Sequence, residues 1–250
     1  MTAPTQSAPD TITVARQMAV AMARLLRNGE TVFFGVASPL PMVAALLAKR
    51  LHAPELVVLT IPGGVDPAPD VLPLSTADPR LQVGAASVVT LADVFDLSAR
   101  GRLDTAFLSG VQIDQQGRIN MSVIGDPRHP KVRLPGGAGS AALMPTARRT
   151  ILWRTRHDRR TLVSELAFVT ATGYVESVVT PLCVFRRRDG VLDVESIHPF
   201  SSPDEVRAST GFAVRVGPDT PVTPPPTDAE NDMLALIDPV GIVAAEFLAR

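Results

Sequence analysis

The chain carries a single cysteine, Cys183, in 250 residues. An intrachain disulfide is therefore impossible, and a reducing compartment suits the sequence. Charge of one sign is also missing: 24 basic and 25 acidic residues leave a net charge of -1. That removes the electrostatic footprint expected of a nucleic-acid or anionic-membrane partner. No apolar run reaches the roughly 18–20 residues of a membrane span. Residues 1–10 are polar and proline-bearing, with no basic stretch ahead of an apolar one, so they read as a disordered tail and not as a signal peptide. The resulting expectation is a cytoplasmic protein. Histidines are few: His52, His129, His157 and His198 are scattered, and none is spaced with another or with Cys183 as metal ligands, so no metal is expected. No Gly-x-Ser-x-Gly elbow is present. Aromatic residues make up only 4%. The basic run from Arg154 to Arg160 thus lacks a stacking platform and reads as a solvated turn or a subunit-contact face.

What is present suggests an α/β fold: a mostly parallel open sheet with helices on both faces. The length fits one large α/β domain or two small ones, and a single domain over residues 11–250 is expected. From Thr11, Val14, Met18, Met22 and Leu25 recur at helical spacing. Thr31–Val36 and Leu56–Ile61 are short buried strands flanking a helix over Pro39–Leu51, and this strand–helix–strand unit implies parallel pairing. Further strands are expected at Thr105–Gly110, Arg149–Arg154, Ser164–Thr170, Ser177–Arg186, Val191–Ile197 and Thr210–Val216. Helices are expected at Thr90–Ala99, Pro203–Thr210, Asp228–Ile237 and Gly241–Arg250. Pro218–Thr227 is proline-rich and extended.

Ligands of open parallel sheets sit at the carboxyl ends of the strands. Four loops there carry candidate residues. In Gly35–Pro41, Ser38 either caps the following helix or marks a helix start whose N–H groups hold an anion. Thr60, Ile61, Gly63 and Gly64 form the second loop, where paired glycines admit close approach of a backbone or a ligand. Gln112 in the third loop is an amide past a strand end, structural or substrate-facing, and a hairpin-like turn follows it. The fourth loop holds Gly136, Gly137, Gly139 and Ser140, a nest of backbone donors suited to an oxyanion or a phosphate. No lysine follows it as in a Walker A loop, and its glycine spacing is not that of a dinucleotide fingerprint.

In this order the loops resemble the β subunits of heteromeric CoA-transferases of the glutaconate type. The resemblance runs from about Val14 to Asp238. It is carried by His52-Ala53-Pro54-Glu55-Leu56, Gly101-Arg102-Leu103-Asp104, Gln112-Ile113-Asp114, Gly117-Arg118-Ile119-Asn120, Lys131 to Gly137, and Ile197-His198-Pro199. It implies a CoA-transferase-like fold and an α-type partner subunit in a heterodimer or heterotetramer. It also implies coenzyme A as part of the substrate, with no permanently bound cofactor. The family's nucleophile is a glutamate at the end of the second strand, which attacks the thioester and carries CoA covalently. Ile61 matches that position and cannot be acylated. Asp66 is the next acidic residue downstream, and Ala141-Ala142 stand where the family has Asn-Asp. Two family members that have left transfer chemistry are also similar: the β subunit of a methylglutaconyl-CoA decarboxylase, the closer in look, and that of a steroid ring-opening CoA hydrolase. The resemblance thus implies decarboxylation or hydrolysis of an acyl-CoA. Transfer with a carboxylate from the α subunit, or a non-catalytic subunit completing its partner's CoA site, stand as alternatives.

Overall fold

A computed structural model describes residues 9–248 of the chain. Helix α1 (Thr11–Arg24) starts at Asp10, whose carboxylate accepts the Thr13 N–H at 2.7 Å. Asp10 is thus a cap and not part of a tail; residues 1–8 of that expected tail lie outside the described residues. Strand β1 (Thr31–Phe34), helix α2 (Pro39–Leu51) and strand β2 (Val57–Leu59) form the expected parallel unit. Short strands β3 (Gly64–Val65) and β4 (Ser87–Val88) extend the sheet antiparallel at that edge. Helix α3 (Leu91–Ala99) is closed by a capping box between Thr90 and Asp93, and strand β5 (Thr105–Leu108) follows. Two hairpins come next: β6 (Gln112–Ile113) with β7 (Ile119–Asn120), and β8 (Val123–Asp126) with β9 (His129–Arg133).

Helix α4 (Ser140–Thr146) grows directly out of the glycine loop, and β10 (Arg149–Trp153) returns to the sheet. Strands β11 (Val175–Val179), β12 (Cys183–Arg188) and β13 (Val191–Ile197) complete it. The single strand expected over Ser177–Arg186 is two, because Thr180, Pro181 and Leu182 reverse the chain and the Thr180 N–H closes on the Cys183 carbonyl. Helices α5 (Pro203–Ser209, capped by Ser202), α6 (Asp228–Ile237) and α7 (Ala245–Leu248) finish the fold. The terminal helix expected from Gly241 is a 3-10 turn at Ile242–Ala244 before α7, and residues 249–250 lie outside the described residues.

Two expected strands are absent among the described residues. Residues 164–170 and 210–216 are irregular. Both have apolar character suited to a strand, but neither finds a partner ladder. Phe212 is nearly buried, and Val214 and Val216 lie against the core. The Arg215 N–H bonds the Asp193 carboxylate at 2.8 Å, a side-chain contact in place of a neighbouring strand.

The sheet order is β13-β12-β11-β10-β5-β1-β2-β3-β4. Its centre, from β11 to β2, is parallel, while β12, β13, β3 and β4 are antiparallel. Side chains alternate between two cores. Val32, Phe34, Phe107 and Ile151 pack with α1, α2 and α6 on one face. Phe33, Ala106, Leu108 and Leu152 pack with α3 and α4 on the other. This period of two explains why each strand is apolar throughout. Buried Arg149, the first residue of the central strand β10, bridges Glu30 at 2.6 Å and pairs with Glu176. A cation this far from water is tolerated because both sides are paired.

The chain leaves β1 for β2 on one side and later returns to place β5 on the other. The crevice between β1 and β5 is therefore a topological switch point, where open parallel sheets bind ligands.

Candidate active site

A cavity of about 530 Å³ opens at that switch point. The ends of four parallel strands supply its walls: Gly35 to Ser38 after β1, Ile61 after β2, Ser109 and Val111 after β5, and Trp153 with Arg154 at β10. Residues Pro135 to Ser140 form a further wall, and Leu91 and Phe95 of α3 complete it. The lining is dominated by apolar side chains, and Arg154 is its one ionisable residue among the described residues. A mostly apolar crevice with a few placed polar groups is the usual form of a small-molecule site.

The ten residues singled out from sequence divide between two places. Ser38, Ile61, Gly136, Gly137, Gly139 and Ser140 line the cavity. Thr60, Gly63, Gly64 and Gln112 do not. The Thr60 hydroxyl is buried and bonds the Gly64 carbonyl at 3.0 Å. A Cβ on Gly63 would stand 1.8 Å from the Val89 carbonyl oxygen, and one on Gly64 1.9 Å from that of Leu81. These glycines admit neighbouring backbone, not a ligand. The Gln112 side chain accepts from Asn120 across the β6–β7 hairpin at 2.9 Å.

Ser38 occupies the cap position of α2 but makes no capping bond; its hydroxyl donates to the Val36 carbonyl at 3.0 Å. An anion site on this helix start is overturned too. Pro39 and Pro41 have no N–H, and the Leu40 N–H is taken by the Glu246 carboxyl at 2.9 Å. Glu246 is thus the cap that the sequence hid, reaching in from α7 more than two hundred residues away. Burial raises its pKa to about 8, against the pull of the Leu40 bond and the Arg154 charge.

The glycine loop keeps free donors. The Gly136 N–H bonds the Met121 carbonyl at 2.7 Å and that of Ser140 the Gly137 carbonyl at 2.8 Å. The N–H groups of Gly137, Ala138 and Gly139 have no hydrogen-bond partner among the described residues. Phe95 packs over Gly139, where an added Cβ would meet its ring at 3.2 Å. Two alanines facing the cavity, Ala37 and Ala138, are left-handed, with φ of 49° and 43°. Such a backbone costs a non-glycine residue about 1–2 kcal/mol, and strain of this kind gathers at functional loops.

Other candidates for covalent chemistry are elsewhere. The Asp66 carboxylate accepts from Lys49 and from the Val58 N–H, both at 2.9 Å, and does not line the cavity. The Cys183 thiol is fully buried, and burial pushes its pKa up, away from the reactive thiolate. No cluster of three or more metal-ligating side chains occurs among the described residues.

Sequence groups Arg154 with its basic neighbours, and the fold separates it from them. Arg156, Arg159 and Arg160 are exposed, but Arg154 is half-buried in the cavity wall. Burial, and next the Arg156 charge, weaken its hold on its proton. The local signal for it is its place, directly after a parallel strand.

A family model described as Coenzyme A transferase matches residues 15–209. The chain belongs to the coenzyme A transferase family. Among its relatives is the B subunit of 3-oxoadipate CoA-transferase from Pseudomonas knackmussii, 34% identical over 88% of this chain and 91% of that protein. A cholesterol ring-cleaving hydrolase IpdB subunit of Rhodococcus jostii is 26% identical over 91% of this chain and 93% of that protein. The crystal structure of the decarboxylase AibA/AibB matches with a TM-score of 0.88 at 34% identity, over 95% of this chain and 100% of the matched one. A fold of mostly parallel sheet layered with helices is common to this family and this chain. Among the described residues no helix is long and apolar enough to cross a membrane.

Proposed function

We propose that this chain is the β-type subunit of a heteromeric enzyme acting on an acyl-CoA thioester by decarboxylation or hydrolysis, without covalent transfer through its own residues. The observation that carries this reading is Ile61: it lines the cavity at the carboxyl end of β2, and among the described residues no lining residue is a carboxylate. The family's glutamate, by the resemblance, would stand at this position. An isoleucine there cannot form an anhydride or a thioester. The partner is an α-type subunit, as with relatives named as B subunits or as one half of a two-chain complex. Coenzyme A enters as part of the substrate, and no permanently bound cofactor is invoked.

The remaining groups suit chemistry that builds negative charge on the thioester oxygen. In decarboxylation the C–CO₂ bond breaks and its electron pair passes through the conjugated chain to that oxygen. In hydrolysis water adds to the carbonyl carbon and the oxygen again becomes anionic. Free N–H groups of Gly137, Ala138 and Gly139 are the donors this chain offers; one such donor is worth about 10²–10³-fold in rate. Ile61, Phe95 and Leu108 exclude water from the same space. Ser38 and Ser140 add two small polar contacts at its edge.

Transfer is the competing reading, favoured by the 34% identity to a transferase subunit. The two separate in one assay of the co-purified complex with a dicarboxylic acyl-CoA, with and without an acceptor acid. Acceptor-independent turnover is the expected result, read either as CO₂ with the thioester kept or as free CoA with the thioester lost. CoA exchange that requires the acceptor would overturn the proposal.

A further inference from the structure

Arg154 is the feature that the acyl-CoA reading leaves without a role. It is the one ionisable side chain lining the cavity among the described residues. Its Nε is buried and has no hydrogen-bond partner among the described residues. The indole Nε1 of Trp153, the preceding lining residue, is likewise buried and unpartnered. The contrast with Arg149, at the start of the strand that Arg154 follows, is plain. That guanidinium is held by Glu30, Glu176 and the Leu25 carbonyl. Arg154 forms no ion pair with any described carboxylate within 4.0 Å. Glu246 is close enough for its charge to act on Arg154, but its Oε2 is also buried without a partner. Partly burying an unpaired cation is costly, and an anion on a ligand would offset that cost.

We propose that Arg154 is a specificity-determining residue that pairs with a free carboxylate on the acyl chain, so that the site selects acyl-CoA thioesters bearing a second, anionic end. The inference rests on the acyl-CoA reading above and deepens it. The planar guanidinium offers the paired donors that a carboxylate accepts, which a lysine would not match. The surrounding apolar wall makes the contact selective, because a neutral chain end leaves the half-buried guanidinium without an anion and its buried Nε unpartnered. The same cation stabilises a carboxylate more than the neutral CO₂ it would become. Arg154 is therefore best matched to a carboxylate that survives the reaction, such as the distal acid of a hydrolysed thioester.

The test measures binding and needs no turnover. The complex of this chain with its α-type partner is titrated calorimetrically with glutaryl-CoA, pentanoyl-CoA and CoA alone. The first two have acyl chains of equal carbon number and differ in the terminal carboxylate. Expected is a preference for glutaryl-CoA of about 10–100-fold, the range of a charged hydrogen bond. Arg154→Gln should abolish the preference while leaving pentanoyl-CoA affinity within about threefold. Arg154→Lys should keep part of it. Equal binding of the two ligands by the unmodified complex would overturn the role of Arg154 and leave the acyl-CoA reading standing. A preference that survives Arg154→Gln would also overturn it. Failure of all three ligands to bind a folded complex would remove the acyl-CoA reading and this inference with it.

Discussion

At the scale of single residues, the loop after β2 separates architecture from chemistry. Ile61 faces the cavity, while Gly63 and Gly64, two and three positions on, are pressed against backbone. Gly63 combines a φ of 93° with a hypothetical Cβ 1.8 Å from a carbonyl oxygen, so alanine there must move the backbone at Val89. Gly63→Ala should therefore lose about 3 kcal/mol or more, read from urea unfolding. Gly29→Ala is the matched control, with φ of 78° and nothing within 4 Å of an added Cβ. It should lose only the backbone term, about 1–2 kcal/mol. Equal losses would show that crowding at Gly63 is relieved by easy movement.

At the scale of elements, the start of α2 depends on α7. Glu246 satisfies the one N–H that the two prolines leave open near the helix start, and it does so from a half-buried position. The folded-state pKa of about 8 lies above the ordinary 4.5. Between those values the folded chain binds more protons than the unfolded one, so this group's contribution falls as pH rises. His157 and His198 act in the opposite sense. Burial lowers each to about 4 from 6.5, so their contribution falls as pH drops through that window. Stability should peak near pH 6.5 and decline on both sides. Glu246→Gln keeps an acceptor for the Leu40 N–H and removes the charge. It should flatten the alkaline limb between pH 6.5 and 8 in thermal melts and leave the acid limb in place. An unchanged alkaline limb would mean that Glu246 is already ionised in the folded protein.

At the scale of the whole molecule, what was legible followed from periodicity and turn chemistry. Helix α2 and strand β13 occupy the expected residues because caps, prolines and apolar spacing agree locally. Residues 164–170 and 210–216 misled because strand-like composition says nothing about whether a partner ladder is at hand. Helix α4 was hidden by the glycines in front of it and by Pro145 within it. The place of the cavity was legible as strand ends, yet side-chain direction was not. Gln112 turns to Asn120, while Ser109 and Val111 of the same loop meet the cavity. Arg154 was obscured by the charge of its neighbours, since exposure within a basic run is set by the fold. The cap from Glu246 is a tertiary contact with no local signal.

The central claim is that no residue of this chain carries CoA covalently, because Ile61 stands at the cavity wall where the family's carboxylate is expected. Intact-mass analysis of this subunit, after incubating the assembled complex with acyl-CoA, measures that directly. The unmodified subunit should keep its mass, and Ile61→Glu should gain the mass of coenzyme A less water. A covalent CoA adduct on the unmodified subunit would contradict the account.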